Sequence, residues 1–141
     1  MAMGSAGEAA DGLITMRSSH GPKDTVDRLE AEVKAKGITM FARIDHAAGA
    51  AEAGLPLRPT ELPIFGNAKA GTPLMQAEQA IGIDLPLKML VWQDASGATW
   101  LSYNDPTWLA KRHGLAGASE AAAKAMAAAL DGIARAAAGS P

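Results

Sequence analysis

The chain has 141 residues, 48% apolar and 20% charged, with 13 basic and 15 acidic side chains, a formal charge of −2 and no cysteine. Such a composition fits one globular domain that buries about two-thirds of its unfolded surface, and it lies outside the disordered class. It excludes disulfides, cysteine nucleophiles and thiolate metal sites, and the singly scattered lysines and arginines form no basic stripe for nucleic acid.

The opening "MAMGSAGEAADG" has neither a basic block nor an apolar core, so residues 1–12 read as a loose arm and not as a secretory leader. No run of about 18 apolar residues is present, which argues against a membrane span and for a cytoplasmic protein. "LITMRSS" (13–19) reads as a strand ending in a Ser-His-Gly-Pro turn. A helix follows, capped by Asp24 or Thr25, with Val26, Leu29 and Val33 at i, i+3, i+7 and Gly37 as its stop. "ITMFARID" (38–45) alternates, with Ile38, Met40, Ala42 and Ile44 expected on one side. "HAAGAAEAG" (46–54) is a short helix, "LPLRP" (55–59) a loop and "TELPIFG" (60–66) a third strand.

Beyond the Gly66–Thr72 loop, a helix is expected from about Pro73 to Ile81, capped by Thr72. "LKMLVWQD" (87–94) and "ATWLSYN" (98–104) form a hairpin across "DASG", with Gly97 at positive φ. Asp105-Pro106 starts a helix that Gly114 ends. The last helix, from Ser119 to about Ala138, has 11 alanines in residues 121–138 and an apolar stripe of Met126, Leu130, Ile133 and Ala137.

This order predicts an α+β domain with a largely antiparallel sheet of about five strands, covered on one face by helices. The hairpin presents Leu87/Met89/Val91 on one side and Leu90/Trp92 with Trp100 on the other. Neither side is polar, so the second face calls for the C-terminal helix or for a second copy in a two-fold dimer.

"FGNAKAGTPLM" (65–75) has the glycine spacing of a phosphate loop, but Thr72 stands where its lysine belongs. Two readings remain: a plain turn, or a site where Asn67, Lys69, Gly71 and Thr72 hold a small anion at a helix N-terminus. His46, after Asp45, is a candidate general base beside Lys69 and Tyr103, with the competing reading of an ordinary first residue of a helix. Tyr103 and Asn104 end a strand where they can line a cleft. His20, His46 and His113 lack a metal-binding spacing, and His113 reads as a cation at a helix C-terminus. No metal or cofactor is expected.

Four ordered stretches carry a family resemblance: "IDHAAGAAEAGL" (44–55), "FGNAKAGTPLM" (65–75), "IDLPLKMLVWQD" (83–94) and "TWLSYNDPTWLAKRHGL" (99–115). The chain resembles the bacterial domain of unknown function 302 over about residues 13–115, leaving the arm at 1–12 and an alanine-rich helix and tail at 116–141. The resemblance implies a curved antiparallel sheet of the TATA-binding-protein-like kind, members that pair as dimers, and no activity. Three readings stand: a small-ligand-binding or self-associating domain, an enzyme using His46, Lys69 and Tyr103, and a purely structural dimerisation module. They differ in whether His46, Asn67, Lys69 and Tyr103 converge on one concave pocket.

Overall fold

Six strands form one antiparallel sheet in the computed structural model, which describes residues 10–139. Its strands are β1 (Leu13–Ser18), β2 (Thr39–Asp45), β3 (Thr60–Gly66), β4 (Leu87–Lys88), β5 (Leu90–Gln93) and β6 (Thr99–Asn104). They lie in the order β1-β6-β5-β3-β2, with β4 also paired to β3 and every pairing antiparallel. The helices are α1 (Pro22–Ala35), α2 (His46–Glu52), α3 (Ala68–Ala77), α4 (Pro106–Arg112) and α5 (Ala118–Ala138), with a 3₁₀ turn at Gln79–Asp84. The fold is α+β, as expected. The sheet has six strands because the run 87–94 breaks at Met89, whose amide bonds Pro63.

Helix α1 buries Val26, Leu29 and Val33, the stripe that the spacing predicts. It starts earlier than expected, with Pro22 in the first turn and Gly21 before it. Thr25 is fully buried inside the helix, its hydroxyl bonded to Ser18 Oγ at 2.7 Å and Gly21 O at 2.8 Å. Helix α5 buries Met126, Leu130, Ile133 and Ala137. Both helices pack on one side, where Leu29, Val33, Leu130 and Ile133 meet Phe65, Met89, Val91 and Leu101. A second cluster joins α3, the 3₁₀ turn, α4 and α5 through Leu74, Ile81, Leu109 and Met126.

The expected alternation of β2 fails at a register shift between Met40 and Ala42. An extra residue in one strand turns its successors over. Met40 packs toward the helices, whereas Ile44 is exposed. Arg43 takes the helix side instead and reaches Asp27 and Glu30 of α1 at 3.1 and 2.9 Å, and Glu61 of β3 at 2.8 Å.

Because α5 lies beside α1, it does not cover the other face. The register puts Arg17, Trp100, Ser102, Leu90, Trp92, Lys88, Leu62 and Ile64 there. Of the arm at 1–12, residues 1–9 lie outside the described residues. Gly12 is anchored: its carbonyl accepts from Asp105 N at 2.7 Å, and at φ 77° it lies where a Cβ would overlap the Trp108 ring.

Candidate functional site

Helix α3 begins at Asn67, not at Thr72. Asn67 has extended backbone, and its side-chain oxygen accepts from Ala70 N at 2.7 Å. Asparagine caps at least as well as threonine, so the helix forms one turn before the expected start. The presumed glycine loop is therefore largely helical, with Gly71, Thr72 and Pro73 inside α3. Pro73 has no N–H, so the Lys69 carbonyl lacks its usual partner one turn on.

The N-terminal half of α3, the segment Gly82–Leu87 and one side of α5 enclose a cleft of about 670 Å³. Met126, Leu130 and Ile133 of α5 line it together with Phe41, Leu85 and Leu87. Ala122, Ala125 and Ala129 complete the α5 side. Their 3- and 4-residue spacing places them on one helix face, where side chains of a single carbon leave the volume open. Among the described residues, Lys69 is the one charged side chain in the lining, with Asn67 and Thr72 nearby as polar groups.

Asn67, Lys69, Gly71 and Thr72 thus come together at this cleft. His46 does not join them. It is exposed at the first position of α2, whose cap is Asp45, accepting from Ala48 N at 2.9 Å. Tyr103 is buried on the helix side of β6, and burial pushes its phenol up to about 12, so it keeps its proton at neutral pH. Tyr103 and Asn104 border a smaller groove of about 310 Å³ that includes Lys88, Leu90 and Trp92. The proposed base, lysine and tyrosine therefore do not share one pocket.

Among the histidines, His20 pairs with Asp24 at 3.2 Å, and His113 meets Asp84 at 2.6 Å. His113 occupies the C-cap position of α4. Its partner was not visible in the sequence, because Asp84 lies 29 residues away. Arg112 Nη1 donates to both Asp84 oxygens at 3.1 Å, so this carboxylate ties the 3₁₀ turn to α4. The described residues contain no group of three His, Asp or Glu side chains placed to hold a metal.

Comparison with known proteins adds a family and a context. The model of the domain of unknown function DUF302 matches residues 14–133. A protein of Brucella suis biovar 1 (strain 1330), named fluoride-specific ion channel FluC 1, is 53% identical over 115 residues, covering 82% of this chain and 45% of its own length. Fluoride-specific ion channel FluC 2 of Brucella melitensis biotype 1 is also 53% identical over 115 residues, with 43% of its length covered. The chain thus spans less than half of these curated relatives. Among its described residues no helix is long and apolar enough to cross a membrane. The crystal structure of an uncharacterised DUF302 protein from Bacillus stearothermophilus superposes with a TM-score of 0.80, at 23% identity, over 90% of this chain and 98% of that one. That likeness establishes the fold alone.

Proposed function

We propose, from the premise that the chain belongs to the DUF302 family, that its cleft binds a small ligand with an apolar body and one anionic group. The observation that carries this reading is that, among the described residues, Lys69 is the one charged residue lining a cleft that is otherwise nearly all apolar. At about 670 Å³ the cleft has the size of small-molecule sites, roughly 300–1,000 Å³. The first-turn amides of Ala68 and Lys69 have no partner inside α3 and add their dipoles to the Lys69 charge. Alkyl carboxylates have the matching chemistry.

The function is binding, and no reaction is assigned. The channel activity named for the Brucella relatives belongs, on this reading, to the part of those proteins that this chain does not match. The lack of a membrane-length helix in the described residues supports that division.

Thermal shift tests the site by mass action. Decanoate is expected to raise the melting temperature more than decanol does, and acetate to have little effect. Lys69→Ala should reduce the decanoate response to that of decanol. Ala125→Trp, which fills the cleft, should abolish both. No response to decanoate or decanol, or a response unchanged in Ala125→Trp, would overturn the reading.

A further inference from the structure

The two residues of β4 look in opposite directions. Leu87 pairs with Phe65 and faces the helices, while Lys88 pairs with Ile64 and faces the open side of the sheet. There Lys88 is half-buried and lines the 310 Å³ groove with Leu62, Leu90, Trp92 and Asn104. Within the described residues its ammonium forms no ion pair. Its hydrogen bond goes to the backbone oxygen of Asp84 at 3.4 Å, long for such a contact. The Asp84 carboxylate is already held by Arg112 and His113.

A charge withdrawn from water is normally paired. Burial lowers the pKa of Lys88, and the more distant attraction of Asp84 offsets only part of that effect. Trp92 gives its indole N–H to Ser102 Oγ at 2.9 Å, so its polar edge is satisfied and its ring remains as an apolar contact surface. Arg17 and Lys88 are the charged side chains that the described strand register places on this face, and the carboxylate that reaches it from the hairpin turn, Asp94, is engaged by the Trp100 indole N–H at 2.8 Å.

We propose that this groove is a second binding site, taking a small flat aromatic carboxylate whose anion pairs with Lys88 Nζ and whose ring lies against Trp92, Leu62 and Leu90. It is separate from the α3–α5 cleft, since β4 divides the two.

Methyl and amide NMR titration of the full chain with 2-naphthoate tests the proposal, with 2-naphthalenemethanol as neutral control. Naphthoate is expected to shift the Leu62 and Leu90 methyls and the Trp92 indole N–H. Lys88→Met should weaken naphthoate about tenfold, as expected for loss of a charge-assisted hydrogen bond, and leave the neutral control unchanged. Ala125→Trp should leave naphthoate binding intact, which separates this site from the alkyl-carboxylate cleft. Removing a poorly solvated charge should not lower the melting temperature, so Lys88→Met remains interpretable. Equal naphthoate affinity in Lys88→Met, or shifts confined to residues of the α5 cleft, would overturn the proposal. So would sedimentation equilibrium showing a dimer in which Leu62 and Leu90 are shielded from solvent, because the face would then belong to a second copy.

Discussion

The two faces of the sheet are held by different physics. On the helix side Phe65, Met89, Val91 and Leu101 are fully buried in one apolar cluster with residues of α1 and α5. On the open side Trp92 and Trp100 stack with ring centroids 6.2 Å apart, and each indole N–H has an acceptor, Ser102 for Trp92 and Asp94 for Trp100. Thr15 shares Ser102 at 2.9 Å, and the Arg17 guanidinium lies 5.7 Å from the Trp100 ring centre. One face is stable because its central side chains are withdrawn from water. The other tolerates water because hydrogen bonds fix its aromatic rings. The first should respond to lost volume and the second to lost partners.

The largest effect expected is therefore on the helix side. Phe65→Ala should cost about 3–5 kcal/mol in denaturant unfolding, from lost transfer energy and a cavity. Leu62→Ala, on the same strand but on the open, half-buried side, should cost less than half as much. Equal losses would break the contrast. Ser102→Ala tests the open face through its partners. It removes the acceptor for Trp92 and the partner of Thr15, and should destabilise by about 1–3 kcal/mol despite deleting a single oxygen. A change within experimental error would mean that water replaces the hydroxyl and that the network is not structural.

At the hairpin that joins β5 to β6, Gly97 has φ 90° with open space around it. Gly97→Val would clash with nothing but would place a branched residue in a left-handed conformation. About 1–2 kcal/mol should be lost through backbone strain alone. An unchanged unfolding midpoint would show that the turn can relax.

Local signals made much of the fold legible. The stripes Val26/Leu29/Val33 and Met126/Leu130/Ile133/Ala137, the Asp105 cap before Pro106 and the glycine of the hairpin turn all lie within a few residues of the features they specify. What stayed hidden depended on tertiary contacts or on competition. The shift after Met40 reverses the second half of β2, and no residue type there announces it. Asn67 and Thr72 are both good caps, and the earlier one takes the helix. The cleft arises where three alanines of α5 face Leu85 and Leu87, about 40 residues away in the chain. Lys88 stands out only once Asp84 is seen to be engaged by Arg112 and His113.

The smallest contrast is electrostatic and concerns Asp94, where the open face is tied to the hairpin turn. Its Oδ2 accepts from the Trp100 indole at 2.8 Å, while Oδ1 accepts from Ser96 Oγ at 2.7 Å, Ser96 N at 2.9 Å and Ala98 N at 3.0 Å. These donors, Trp100 first and Ser96 next, favour the ionised form and hold the carboxyl well below its ordinary value of 3.8. For a depressed carboxyl the stabilisation is complete above the unfolded-state pKa and is lost as pH falls through the folded-state value. Asp94→Asn keeps the shape but replaces the ionised acceptor with a neutral amide. Wild type should therefore melt higher than Asp94→Asn at pH 7, and the difference should shrink as the pH falls below about 4. Asp27 and Glu30 are also depressed, chiefly by hydrogen bonds from Lys23 and Lys34, but they titrate in both proteins and cancel in the difference. Melting curves of the pair from pH 7 to pH 2 read this directly. A difference independent of pH would mean that the neutral acid serves the turn as well as the ion does, and that the open face owes its order to hydrogen-bond geometry without help from charge.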